Sequence, residues 1–419
     1  MPELSKRGIE MPSSPIRKLV PLSDSAKIRG LKVHHLNIGQ PDIPTPEVGL
    51  NTLKNIDRTI LEYSPSEGFK SFREKLVGYY SKFNINVAAD DIIITSGGSE
   101  AVLFAFLACL NPGDEIIIFE PSYANYMAFA IATGAVIRAV PCNIKDGFSI
   151  PSAEKIEAQI NERTKGILIC NPNNPTGYLF TRDEMNRIRH LVQKHDLYLF
   201  SDEVYREFIY TGSPYISAFH LVGIEKNVIL IDSVSKRYSE CGIRIGALIT
   251  KNKKVKRAVT NLCQARLSPP LLGQIVAEAS LEAPEEYMRD VYDEYVVRRN
   301  FLVGRLNQIP GVYSPIPMGA FYTMASLPVD DADAFCEWCL ADFEYEGQTI
   351  FMAPGSGFYA TPGLGKNEVR IAYVLNRNNL QNAMTVLEKA LECYKAPTAC
   401  AVSSTKAPDF PKYLSRPST

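Results

Sequence analysis

Val228-Ile229-Leu230-Ile231-Asp232-Ser233-Val234-Ser235-Lys236-Arg237 is an apolar run that ends in a polar turn carrying a lysine, and Gly242-Ile243-Arg244-Ile245-Gly246 follows closely. A short, nearly continuous apolar run of this kind reads as a strand buried on both faces. Working outward, residues 92–95, 115–119, 135–140, 166–170, 197–201 and 245–250 repeat the pattern. Helix-like segments lie between several of them. Thr181-Arg182-Asp183-Glu184 is a capping-box pattern, and Met185, Ile188, Leu191 and Val192 then recur at helical spacing. Strands alternating with helices predict an α/β domain with a largely parallel sheet over residues 50–284.

Beyond this core, Met288, Val291, Tyr292, Tyr295, Val296, Leu302 and Leu306 line one helix face. They predict a connecting helix within residues 285–309. Residues 310–394 read as a smaller α+β domain, joined by an N-terminal arm in 1–49. From 395 to 419 the chain is rich in Pro, Ser, Thr and Lys and is expected to be disordered.

The 419 residues are 46% apolar and 22% charged, an ordinary globular composition. Lys plus Arg total 45 against 46 Asp plus Glu, a net charge of −1. That balance argues against a broad electrostatic grip on nucleic acid or an anionic membrane. The longest apolar run, 101–110, is ten residues, about half of a membrane span. The N-terminus lacks the apolar stretch of a secretory signal. Nine scattered cysteines read as reduced thiols of a cytoplasmic protein. Cys336-Glu337-Trp338-Cys339 has CxxC spacing but no second ligand pair follows, and the five histidines form no metal motif, so no metal is expected. Gly355-Ser356-Gly357-Phe358-Tyr359-Ala360 fits a dinucleotide-type glycine pattern, but Pro362 argues against the helix such a site requires.

Four strand ends carry chemistry-bearing residues. Lys236 follows a buried strand with Arg237 and Arg244 nearby, a setting for a Schiff-base lysine or simply for a solvated one. Thr95-Ser96-Gly97-Gly98-Ser99-Glu100 joins a strand to a helix, as an anion cradle or a plain tight turn. Asn171-Pro172-Asn173-Asn174-Pro175-Thr176-Gly177 is a constrained turn at a strand's carboxyl end, where open α/β sheets bind ligands. Asp202, in Ser201-Asp202-Glu203-Val204-Tyr205, is either a helix cap or a buried carboxylate requiring a cationic partner.

Taken together these motifs resemble the class I and II aminotransferases among the fold-type I pyridoxal 5′-phosphate enzymes, over almost the whole chain from Leu36-Asn37-Ile38-Gly39-Gln40-Pro41-Asp42 to about Tyr394. The resemblance implies a large domain with a mostly parallel seven-stranded sheet between helices, plus a smaller α+β domain. It implies that Lys236 forms the aldimine and shuttles the proton, that Asp202 keeps the pyridine nitrogen protonated, and that Tyr205 and Asn174 bond the ring oxygen. Ser233, Arg244 and the backbone at Gly98 and Ser99 match the phosphate site, and Tyr123 matches the stacking aromatic. Tyr63 matches a tyrosine that reaches the neighbouring subunit's cofactor, which implies a homodimer with shared sites. Arg370 matches the arginine that grips the substrate α-carboxylate, and Gly39 belongs to the loop that covers it.

The implied reaction moves an amino group from an L-amino acid to a 2-oxo acid such as 2-oxoglutarate in two half-reactions. The sequence resembles the bacterial aspartate aminotransferase branch most. Arg266 is the candidate cation for a distal carboxylate; the alternative family position, just after the glycine pair, holds Ser99 and Glu100. A β-lyase, decarboxylase, oxidase or cyclase using the same cofactor is the competing reading. A non-catalytic regulator with this fold is a third, and the intact Lys236 speaks against it.

Overall fold

In the computed structural model, which describes residues 2–212 and 214–395, the seven apolar runs become one sheet. The first strand, β1 (Lys32–His35), belongs elsewhere. The next seven are β2 (Ile92–Thr95), β3 (Glu115–Glu120), β4 (Val136–Pro141), β5 (Thr164–Cys170), β6 (Tyr198–Asp202), β7 (Val228–Ser233) and β8 (Gly246–Ile249). They lie in the order β2-β8-β7-β6-β5-β3-β4. Pairing is parallel from β7 to β4, and β8 runs antiparallel to both of its neighbours.

Alternate residues of these strands feed two separate cores, as the two-residue period of a strand requires. Ile93, Ile116, Leu168, Phe200 and Ile231 pack on one face with Ala101, Ala105 and Phe106 of the helix Gly98–Cys109. Ile94, Ile117, Ile169, Leu199 and Leu230 pack on the other with Met185, Ile188, Leu191 and Val192 of the helix Arg182–His195. The capping box is present at this helix: Thr181 Oγ1 accepts from Glu184 N at 3.2 Å, and Glu184 Oε2 accepts from Thr181 N at 2.8 Å.

The helix Glu285–Leu306 follows, with Val291, Tyr295, Leu302 and Leu306 buried. Tyr295 stacks on Phe321, ring centroids 5.2 Å apart, just before β9 (Tyr322–Ser326). Arg298 on the same helix pairs with Asp42 at 2.6 Å and donates to the Val374 carbonyl. A second sheet has the order β11-β12-β9, with β11 (Ala353–Pro354) and β12 (Glu368–Ala372) antiparallel. β1 pairs in parallel with β10 (Gln348–Phe351), where His34 Nε2 lies 2.8 Å from Gln348 Oε1. The last helix, Arg377–Lys395, takes in Lys395; the expectation of disorder for the rest of the tail falls outside the described residues.

Residues Gly355–Phe358 form a 3₁₀ turn rather than the α-helix of a dinucleotide site. Cys336 and Cys339 are buried free thiols. Among the described residues no group of three or more side chains could hold a metal ion, and no helix is long and apolar enough to cross a membrane.

Glu184 also accepts from Tyr178 Oη at 2.7 Å and Ile150 N at 3.1 Å. Thr181→Ala removes one cap and is expected to cost about 1 kcal/mol. Glu184→Ala strands several buried donors and is expected to cost about 2–4 kcal/mol. Urea unfolding midpoints should rank the two variants in that order.

Candidate active site

The chemistry-bearing residues gather at one edge of the large sheet. β5, β6 and β7 are parallel. β2 points the same way because it and β7 are both antiparallel to β8. The turns after β2, β5, β6 and β7 therefore meet at the carboxyl edge.

Asp202 closes β6 and is 7% exposed. Its Oδ2 accepts from Tyr126 Oη at 2.7 Å and its Oδ1 from Val204 N at 3.3 Å. Burial pushes its pKa up to about 6, although the Tyr126 hydrogen bond draws it down. Among the described residues no arginine, lysine or histidine pairs with it.

Arg370 on β12 is 1% exposed. Nη1 donates to Asn174 Oδ1 at 3.0 Å and Nη2 to the Asn37 carbonyl, while Nε is buried without a partner. Its carbon lies 4.6 Å from the Tyr322 ring centroid and 4.9 Å from that of Phe358. Burial lowers its pKa, and no carboxylate among the described residues offsets that. Asn174 Nδ2 donates in turn to Tyr205 Oη at 3.4 Å, and Tyr205 Oη lies 3.0 Å from Tyr322 Oη. Burial raises the Tyr205 phenol well above its ordinary value. Asn174, Tyr205 and Arg370, far apart in sequence, thus form one connected network.

Lys236 sits in the short helix Val234–Arg237, which Ser233 caps by accepting from Ser235 N at 3.2 Å. Lys236 Nζ donates to the Gly39 carbonyl at 3.0 Å and lies 3.8 Å from Cys241 Sγ. Gly39 is there for lack of room: a Cβ would overlap the Tyr322 hydroxyl.

Gly97 caps the helix Gly98–Cys109 at φ +80°, and Arg244, at φ +57°, lays its guanidinium where a Gly97 Cβ would be. Gly98 and Ser99 open that helix beneath it. Its free backbone N–H groups and an adjacent arginine are the chemistry of an anion cradle. Tyr123 accepts from Asn125 Nδ2 at 2.8 Å, and burial pushes its phenol up to about 12, with Arg370 and Asp202 both acting on it.

Two expected residues stand apart. Tyr63 is 77% exposed. Arg266 pairs with Glu100 at 2.8 Å and donates to the Ser66 carbonyl at 3.1 Å, touching none of the residues above. Sequence reasoning missed Tyr126, Tyr322, Asn37 and Phe358, whose places depend on packing between distant segments.

Comparison with known proteins fits this geometry. Residues 32–387 match the family described as aminotransferase class I and II. Aspartate aminotransferase of Thermotoga maritima is 31% identical over 93% of this chain and 99% of its own length. That of Pyrococcus horikoshii is 30% identical over 85% and 90%. Among solved structures, aspartate aminotransferase from Thermus thermophilus with maleate superposes with a TM-score of 0.83 at 26% identity, over 93% of this chain and all of the other. Alanine aminotransferase from Pyrococcus furiosus gives 0.82 at 28% identity, again over 93% and 100%. The chain belongs to the class I and II aminotransferase family, with the α/β architecture of fold type I. It is an aminotransferase whose cofactor is pyridoxal 5′-phosphate.

An Asp202 pKa of about 6 lies above the ordinary carboxylate value. The folded apoprotein therefore carries a penalty of about 3 kcal/mol at this residue above pH 6, lost as pH falls from 6 towards 4. Asp202→Asn is expected to raise the apoprotein's melting temperature at pH 7.5, with the gain fading at pH 4, while cofactor retention falls. Melting curves with and without pyridoxal 5′-phosphate check both signs.

Proposed function

We propose that this aminotransferase moves the amino group between L-aspartate and a 2-oxo acid, 2-oxoglutarate, by a ping-pong mechanism. The observation that carries the reading is the buried Arg370 guanidinium, which no carboxylate of the described chain pairs. A buried charge of this kind calls for a partner, and the planar fork of arginine suits a carboxylate. The aspartate aminotransferases among the relatives support the choice of substrate.

The site suits the cofactor on its own chemistry. Asp202 is a buried carboxylate without a cation, which a protonated pyridine nitrogen would provide. The cradle at Gly98, Ser99, Ser233 and Arg244 suits a phosphate, Tyr123 would stack on the ring, and Tyr205 with Asn174 would bond its oxygen. The bound cofactor supplies a sink for the electron pair left on the substrate α-carbon. Lys236 Nζ would anchor the cofactor and, as a free amine, would accept the substrate α-proton and pass it to the cofactor carbon that the lysine had held. Arg370 and Asn174 would hold the α-carboxylate and so fix the substrate's orientation.

In this reading residues 50–284 form the cofactor-binding domain, 285–309 link it, and 310–394 with part of 1–49 form the smaller one. Ile60, Leu61, Tyr63 and Leu267 are 70%, 62%, 77% and 52% exposed. Ser66 Oγ bonds the Leu267 carbonyl at 2.6 Å and so holds the two stretches together. A second copy covering them would make a homodimer and bring Tyr63 to the partner's site. A cytoplasmic location completes the reading.

Steady-state kinetics with aspartate and 2-oxoglutarate test the function. Parallel double-reciprocal lines and one oxaloacetate per glutamate are expected; sustained turnover without any oxo acid would give the site to lyase or decarboxylase chemistry instead. Arg370→Lys is expected to lower kcat/KM for amino acids about 100-fold. Sedimentation should show a species of twice the chain mass.

A further inference from the structure

An aspartate or 2-oxoglutarate has a second carboxylate, which needs a cation beyond Lys236 and the Arg244 of the anion cradle, and four others bear on the question. Arg370 faces the α-carboxylate position. Arg266 is held by Glu100 at 2.8 Å. Lys18 is bound to Asp333. Arg17, beside it, is exposed and makes no ion pair or side-chain hydrogen bond among the described residues.

The segment carrying Arg17 is fixed over the site. The Ile16 carbonyl accepts from Asn37 Nδ2 at 2.9 Å, and the Asn37 carbonyl accepts from Arg370 Nη2. The Ile16 side chain packs on the small cluster of Ala124, Ala353 and Phe358, the last of which lies against Arg370. Pro15 occupies the space where a Cβ on Gly357 would be, which gives the 355–360 glycine motif a purpose unrelated to dinucleotides. Arg17 N and Lys18 N both turn back to the Ser14 carbonyl, at 3.0 and 2.8 Å. The charge of Arg17 is felt at the Tyr123 phenol, together with those of Arg370 and Asp202. Arg17 therefore stands beside the substrate site, its neighbour Ile16 two hydrogen bonds from the α-carboxylate arginine.

We propose that Arg17 binds the distal carboxylate of dicarboxylic substrates and so sets the enzyme's preference for them. The proposal rests on the aminotransferase reading above and deepens it. It also explains why Ser99 and Glu100 replace a cation after the glycine pair: Glu100 is engaged with Arg266, and the positive charge enters from the N-terminal segment of the same chain.

The test uses the holoenzyme and single-turnover rates with L-aspartate and L-alanine in wild type, Arg17→Ala, Arg17→Lys and Arg266→Ala. Loss of a charge-assisted contact is expected to lower the aspartate-to-alanine ratio of kcat/KM about 10- to 100-fold in Arg17→Ala. Arg17→Lys should recover part of the ratio. Succinate, which has two carboxylates, should lose its advantage over butyrate as a competitive ligand in Arg17→Ala. A ratio within two-fold of wild type in Arg17→Ala would overturn the assignment, and a fall confined to Arg266→Ala would move the role to Arg266. A wild-type enzyme that turns over neither amino acid would overturn the transamination reading, and this assignment with it.

Discussion

Two buried charges of opposite sign, Asp202 and Arg370, have no ionic partner among the described residues, and the site is built around them. Burying an ion costs several kcal/mol unless a counter-charge meets it. Asp202 belongs to β6 of the large sheet and Arg370 to β12 of the small one. The Arg370–Asn174–Tyr205–Tyr322 network joins β12 and β9 to the turns after β5 and β6, and Asp202 closes β6. The Tyr295–Phe321 stack and the Arg298–Asp42 pair hold the pieces around it. A cofactor bearing a protonated nitrogen and a substrate bearing a carboxylate would satisfy both charges.

The contrast lies just behind Lys236. There Asp232 Oδ2 accepts from Arg237 Nη2, from Tyr80 Oη at 2.7 Å and from Arg206 Nη1 at 3.5 Å. Arg206 reaches on to Glu203 at 3.1 Å. Every charge in that cluster has its opposite, and the cations of Arg237 and Arg206 keep the Asp232 carboxyl ionised against burial. Asp232 and Arg237 flank the turn that presents Lys236. The fold matches charges where it needs a fixed platform and leaves them unmatched where it binds ligands, a division typical of functional sites.

What the sequence revealed follows from the range over which each signal acts. Most strands of the large sheet were legible because both faces are covered, which makes each an apolar run; the edge strand β4, with Val136 exposed, showed itself by its β-branched residues. The capping box at Thr181 was legible because its residues are three apart. Sheet order was not, and neither was the reversed direction of β8, since Ile245-Gly246-Ala247-Leu248-Ile249 reads like its neighbours. The lysine, the aspartate and the Gly97–Gly98 turn stood out as strand-end motifs, and only their combination separated them from a solvated lysine, a helix cap and a plain turn. Tyr126 bonds Asp202 across 76 positions and Asn37 meets Arg370 across 333, so neither partnership can be read from local sequence. Arg266 was visible as a cation, but its partner Glu100 lies 166 positions away and only the fold joins them.

The most direct measurement of the central claim is the ¹⁵N chemical shift of the ring nitrogen in holoenzyme loaded with labelled pyridoxal 5′-phosphate at pH 8. If Asp202 is the counter-charge, the nitrogen is protonated there, far above the pH at which a free pyridine would release its proton. The shift should then be that of a pyridinium. An unprotonated ring nitrogen in the folded, loaded enzyme would contradict the account, because Asp202 would then remain a buried charge without its partner.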